Sequence, residues 1–251
     1  MANKKSILYL FDVDGTLTKP RQVISDELKN VLLNKVQPKV TVGLVSGSDY
    51  SKILEQMGGE DVINKIDHVF CENGVMHYKV GKLISSESIL DQLGEQLLQR
   101  VINFGLAYMS KIELPAKRGN FVEFRSSMIN FCPVGRSCSQ EVRDQFAKYD
   151  AEHKIRQKFC DALENEFKDT SIKFALGGQI SVDIFPVGWD KTYCLKHVAH
   201  HKFDEIHFFG DKTSPGGNDY EIYNDSRTIG HSVTSPENTY QLLKKYLNIE
   251  E

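Results

Sequence analysis

The chain has 251 residues, with 31 Lys or Arg against 34 Asp or Glu for a formal net charge of -3, and 40% of it is hydrophobic. A balance this close to neutral excludes broad attraction to nucleic acid or to an anionic membrane, so any anionic ligand must be held by a local cluster. The length suits one domain carrying a large insertion as well as it suits two domains in tandem.

The first apolar run, in "MANKKSILYLF", ends at Asp12 and is too short for a signal-peptide core or a membrane span, which points to a cytoplasmic protein. The spacing then predicts a strand near 6 to 12, a helix near 25 to 36, a strand near 40 to 45, a helix near 49 to 57 and a strand near 68 to 71. Such alternation implies βαβ units and a parallel sheet covered on both faces. A hairpin-like "YKVGKLI" at 78 to 84 closes this part. The middle is different: "NFVEFRSS", "MINFCP", "SIKFAL" and "QISVDIF" read as short strands among helices near 88 to 103 and 139 to 167. That pattern suits an antiparallel sheet backed by helices. After "FPVGWDK" the first pattern returns, with "DKTYCLKHVAHH" as helix, "EIHFFG" and "RTIG" as strands, and "SPENTYQLLKKYL" as a closing helix capped by Ser235 with Pro236 in its first turn. The expected architecture is an α/β core (1–83 and 187–251) with an inserted α/β domain (84–186). Five cysteines, Cys71, Cys132, Cys138, Cys160 and Cys194, are an odd number with no C-x-x-C pair and read as buried free thiols.

Asp12 and Asp14, two apart at the end of the first strand, project to the same side, at the edge where open parallel sheets bind ligands. Two like charges there call for a hard cation such as Mg²⁺. One carboxylate could then attack phosphorus while the other carries a proton. The segment Asp12-Val13-Asp14-Gly15-Thr16 resembles the D-x-D-G-T opening of the haloacid dehalogenase superfamily, and further motifs follow in order. The resemblance implies a Rossmann-like core. It implies a phosphoryl-binding hydroxyl from Ser46, or Ser48, in "VGLVSGSD", and a charge-balancing Lys191 in "GWDK". Asp211 in "FFGDKTSPGGNDYE" would complete the Mg²⁺ site with Asp12 and the backbone carbonyl of Asp14, with Asn218 and Asp219 in support. An "ENG" at 72 to 74 fits members that insert a cap after the third strand.

Between Lys111 and Lys158 there are ten Lys or Arg against six Asp or Glu, a local positive excess in a net negative chain. Arg118, Arg125, Arg136 and Arg143 fall here, and arginine's planar fork suits phosphate oxygens. In "QISVDIF", Ser181 and Asp183 share a strand face and could meet sugar hydroxyls. Together "FDVDGTLT", "KRG-F-EFR", "GRSCSQE", "GGQISVDIFP-GWDK" and "FGDKT-PGGNDYEI" resemble the eukaryotic-type phosphomannomutases over almost the whole chain.

By that resemblance Asp12 is the nucleophile and Asp14 the general acid/base, while Arg21, Arg125, Arg136, Arg143, Ser181 and Asp183 bind substrate. A further cation position lies near Tyr223, Asp225 and Thr228. The family implies interconversion of mannose 6-phosphate and mannose 1-phosphate, primed by a hexose 1,6-bisphosphate and supplying GDP-mannose, with glucose phosphates often accepted. It also implies a mobile cap that excludes water on closing and carries the homodimer contact. Many relatives have glycine at the position of Ser46, which leaves the hydroxyl of that motif open between Ser46 and Ser48. Two other readings compete: a sugar-phosphate phosphatase using the same core motifs, and a catalytically silent protein that kept the fold.

Overall fold

In the computed structural model, residues 6–247 are described. Among them eleven strands follow one another: β1 (Ile7–Phe11), β2 (Thr41–Val45), β3 (His68–Cys71), β4 (Met76–Lys79), β5 (Lys82–Ser86), β6 (Val122–Phe124), β7 (Ile129–Phe131), β8 (Ile172–Gly177), β9 (Ser181–Pro186), β10 (Glu205–Gly210) and β11 (Ile229–Ser232). The chain divides into two compact units, one running to Ser86 and resuming at Gly188, the other spanning Glu87–Val187. β5 passes three residues beyond the expected boundary at 83, because Ser85 and Ser86 still pair with β4.

The first unit holds a seven-stranded sheet in the order β11-β10-β1-β2-β3-β4-β5. Pairing is parallel from β11 through β3 and antiparallel beyond. β1 sends Tyr9 and Phe11 into one apolar cluster and Leu8 and Leu10 into another, so both faces of the strand are buried, as a continuous apolar run requires. The strand order reverses at β1: the chain steps to β2 and β3 on one side and returns to β10 and β11 on the other. The carboxyl ends of β1, β2 and β10 therefore meet at a topological switch point, the place where such sheets bind ligands.

Local signals set most helix ends. Ser25 accepts from Leu28 N at the start of helix Asp26–Val31, which continues as a π-helical turn over Leu32–Val36. Asp49 accepts from Lys52 N, and Gly58 ends helix Tyr50–Met57 in the left-handed conformation. Ser235 accepts from Asn238 N (3.2 Å) before helix Pro236–Leu247. Two expectations shift. The segment 190 to 201 is not one helix but short turns, Lys191–Cys194, Leu195–Val198 and Ala199–His201. The strand expected at "RTIG" begins at Ile229, because Arg227 N and its guanidinium are drawn into a turn by Asp225.

In the second unit an antiparallel sheet runs β6-β7-β9-β8. Helices Glu95–Lys111 and Ile155–Glu166 cover one face, where Phe159 stacks on Tyr108 and packs on Phe131. Gly105 is required there, since a Cβ would stand 2.3 Å from Phe131 Cζ. The expected long helices are interrupted at Gly94 (φ 76°) and Lys154 (φ 56°). The five cysteines are free and buried. Among the described residues no helix is long and apolar enough to cross a membrane.

Two histidine pairs pack in the first unit, one of them buried. His68 Nδ1 lies 2.9 Å from His77 Nε2, and His207 Nδ1 2.8 Å from His231 Nε2. Burial, followed by the nearby Lys79, His201 and His197 charges, holds His68 down to about 4. His77 is held to about 3 and His231 to about 4, again chiefly by burial. The unfolded chain thus binds protons that the folded chain refuses, so stability is present above pH 6.5 and is lost as pH falls toward 4. The shift at His68 corresponds to about 3 kcal/mol. Urea midpoints measured from pH 7 to 4 are expected to fall across this window, with a shallower fall in His77→Gln.

Candidate active site

Asp12, Ser46 and Asp211 each follow the last residue of β1, β2 and β10, so three adjacent parallel strands deliver them to one edge. Asp12 N bonds Phe209 O (2.9 Å) and Ser46 N bonds Phe70 O (3.0 Å), which extends the ladder into the site. Lys191 is 1% exposed and sits between two acids: Nζ donates to Asp12 Oδ1 and to Asp219 Oδ1 (2.6 Å). Asp219 is fully buried and also accepts from Lys212 N (3.0 Å). Carboxylate oxygens of Asp12, Asp211 and Asp219 all lie within 4.8 Å of one another.

Three carboxylates face one ammonium. Burial pushes the Asp12 carboxyl up to about 7, against the pull of Lys191, with Asp219 and Asp211 adding to the rise. Burial and then Asp219 also raise Asp211. Lys191 goes the other way: its burial cost is overcome by Asp12 and Asp219, which keep it protonated. The cluster carries more negative charge than its protein partners balance, and Asp211 Oδ1 is buried without a hydrogen-bond partner. That donor set suits a divalent cation held by Asp12 and Asp211. Each Asp219 oxygen already accepts a hydrogen bond, Oδ1 from Lys191 Nζ and Oδ2 from Lys212 N, so this carboxylate serves mainly to hold Lys191. Gly15 (φ 86°) makes the approach possible, because a Cβ there would stand 2.4 Å from Asp211 Oδ2.

The Asp14 carboxylate is not part of this cluster. It accepts from Lys52 Nζ (2.7 Å), Gln56 Nε2 (2.7 Å) and Arg21 N (2.9 Å). Partial burial works to raise Asp14, but these hydrogen bonds prevail and lower it. Ser46 is buried and its Oγ accepts from Ser48 N (3.1 Å), while Ser48 Oγ accepts from Lys52 Nζ (3.0 Å). Arg21 contributes a backbone N–H and exposes its guanidinium. Asn218 is exposed. At Tyr223, Asp225 and Thr228, the Asp225 carboxylate is paired with Arg227 (2.6 Å) and the Thr228 hydroxyl donates to Ile222 O (2.5 Å). Among the described residues these positions form no His, Cys, Asp or Glu cluster of the kind at Asp12.

The second unit has its own polar cluster, on the sheet face opposite the helices. Register aligns Glu123 with Asn130 and Asn130 with Asp183 across β6, β7 and β9. Arg125 forks onto Glu123 (3.2 and 3.3 Å), and Arg136 donates to Glu123 and to Asn130 Oδ1 (3.0 Å). Asn130 Nδ2 donates to Asp183 Oδ1, and Ser181 Oγ lies 3.4 Å from the same oxygen. Burial raises Asp183 against Asn130 and Arg125. Arg143 joins through Arg136 O (2.7 Å). Arg118 stands apart, exposed, with Nη1 on Lys117 O (2.9 Å).

Sequence reasoning missed Lys52, Gln56, Glu123 and Asn130. The first two had a signal: Lys52 and Gln56 are four apart on one face of helix Tyr50–Met57, with Ser48 four residues further back, ahead of its cap. Asn130 and Glu123 are placed by strand pairing and carry no local mark.

The fold and the paired aspartates define the haloacid dehalogenase class of α/β proteins. The C. albicans trehalose-6-phosphate phosphatase C-terminal domain shares the fold with a TM-score of 0.61 at 17% identity, over 98% of this chain and 93% of that one. Residues 28–249 match the family described as eukaryotic phosphomannomutase. The chain is 51% identical over 247 residues to the phosphomannomutase of Drosophila melanogaster (98% of this chain, 97% of that protein). It is 55% identical over 239 residues to phosphomannomutase 1 of Mus musculus (95% and 91%). This chain belongs to the eukaryotic phosphomannomutase family.

Replacing Lys191 by Met strands buried acids without their cation, at a cost of about 3–5 kcal/mol. Urea denaturation of Lys191→Met in chelator is expected to show that loss at pH 7.5 and a smaller one at pH 5.5, where Asp12 takes up a proton.

Proposed function

We propose that the chain is a phosphomannomutase, interconverting mannose 6-phosphate and mannose 1-phosphate through an aspartyl phosphate at Asp12 and a hexose 1,6-bisphosphate. The observation that carries the reading is the buried Asp12–Lys191–Asp219 array beside Asp211 in a chain of this family. Asp12 Oδ attacks phosphorus and Lys191 stabilises charge on the carboxylate and the phosphoryl oxygens. Asp14 exchanges a proton with the sugar oxygen that leaves or attacks. When bound, Mg²⁺ held by Asp12, Asp211 and the Asp14 carbonyl supplies the positive charge the cluster calls for.

In this reading the first unit is the catalytic core and the second a cap. The face bearing Arg125, Arg136, Arg143, Ser181 and Asp183 binds the sugar phosphate. Arg125 and Arg136 share one directly paired carboxylate, Glu123, with Asp183 acting on them across Asn130, and Arg143 is tied, among the described residues, only to a backbone carbonyl, which leaves the three fit to accept an anion. Homodimerisation through the second unit is supported by its exposed Leu106, Phe124 and Leu176. Five free buried thiols suit a reducing cytoplasm. Supply of GDP-mannose synthesis and some turnover of glucose 1-phosphate belong to the same proposal.

A coupled assay on mannose 1-phosphate with glucose 1,6-bisphosphate tests it. Asp12→Asn is expected to abolish turnover, and Arg143→Ala to raise KM with a smaller effect on kcat. Inorganic phosphate as the main product, independent of bisphosphate, would show a phosphatase instead. Mg²⁺ is expected to raise the thermal midpoint of the wild type and to leave that of Asp211→Asn unmoved.

A further inference from the structure

The carboxylate of Asp14 is gripped from one helix at both oxygens. Lys52 Nζ reaches Oδ2 and Gln56 Nε2 reaches Oδ1, each at 2.7 Å. The two side chains are four apart on helix Tyr50–Met57, one turn above the other on the same face. That helix is itself held, by the Asp49 cap and by burial of Ile53 and Met57.

The orientation of the Gln56 amide is forced. It is 2% exposed, and its Nε2 is shared between Asp14 Oδ1 and Thr18 Oγ1 (3.0 Å). The Thr18 hydroxyl donates to Val13 O (3.3 Å), so toward Gln56 it can only accept. Turning the amide over would set its oxygen against two acceptors. The arrangement leaves Oε1 buried without a partner on the other side. A residue kept only for packing would be apolar here; a buried amide that gives up one acceptor to aim its donors at Thr18 and Asp14 is placed for those groups. Lys52 also donates to Ser48 Oγ, which ties the same grip to the loop after β2.

We propose that Lys52 and Gln56 are positioning residues for phosphoryl transfer, fixing the Asp14 carboxyl so that it meets the sugar oxygen. The proposal rests on Asp14 as the proton-exchanging group. Two-point binding fixes the orientation of a planar carboxylate, and loss of orientation removes much of what a catalytic acid or base contributes. The step it serves is explicit. As Asp12 Oδ bonds to phosphorus, the bond from phosphorus to the sugar oxygen breaks, and that oxygen takes a proton from Asp14. In the return direction the sugar hydroxyl gives its proton to Asp14 as its oxygen attacks the aspartyl phosphate. Acetyl phosphate needs no such help, because acetate leaves as a stable anion.

The test measures, by rapid quench, how fast the enzyme takes up label from phosphoryl-labelled glucose 1,6-bisphosphate and from labelled acetyl phosphate. The ratio of the two rates is the readout. A lesion of folding lowers both and leaves the ratio alone. In Lys52→Met and Gln56→Met the ratio is expected to fall about tenfold, part of the 10²–10⁴-fold that acid–base catalysis supplies, while Lys52→Arg stays within about twofold of wild type. Asp14→Asn is expected to lose more than either. A wild-type or higher ratio in either Met variant, with the ratio lost in Asp14→Asn, overturns the proposal. A wild-type ratio in Asp14→Asn overturns the role of Asp14 itself. If Gln56→Met does not fold, Lys52→Met decides alone.

Discussion

Everything at the catalytic edge depends on one buried ammonium. Lys191 lies at the start of an irregular helical segment far along the chain, yet its nitrogen bonds Asp12 at the end of the first strand and Asp219 in the loop after β10. Those three parts of the chain meet at the switch point of the sheet, and the ion pair locks them in register. Without the cation, burial of Asp12 and Asp219 side by side would be untenable. The bond also explains why the segment after Asp190 is broken into short turns: its first residue is pulled inward to the acids, while the later turns pack on the apolar cluster around Phe70 and Phe208.

The same edge separates two kinds of aspartate by their surroundings alone. Asp12 is surrounded by acids in a dry pocket, with one cation opposing them, and its carboxyl is raised. Asp14, two residues on, finds donors on both oxygens and is lowered. Two identical side chains two residues apart are thus pushed in opposite directions, one by burial among acids and the other by the hydrogen bonds it accepts. Gly15 leaves room beside them for Asp211, which a Cβ would meet at 2.4 Å.

In the second unit a sheet with one apolar face and one polar face solves a different problem. Helices cover the apolar face, and the polar face gathers arginines around a hydrogen-bonded line of Glu123, Asn130 and Asp183. The line holds the guanidinium groups in place, each partly satisfied and none neutralised outright. This is a stable way to keep a local positive excess in a chain of net negative charge.

Apolar period and motif spacing were enough to place the strands, the main helices and the antiparallel middle, because both faces of β1 and its neighbours are read directly from residue type. Spacing also singled out Asp12 and Asp14 at a strand end, and the resemblance of the later motifs to a known family added Lys191 and Asp211. What they did not determine is where each side chain points. The turn of Asp14 toward Lys52 and Gln56, the commitment of Asp219 to Lys191, the pairing of Asp225 with Arg227 and the line through Asn130 are contacts across 28 or more residues in all but one case. Such contacts are decided by sheet register and by competition between buried charges, which exist only once the chain has closed on itself.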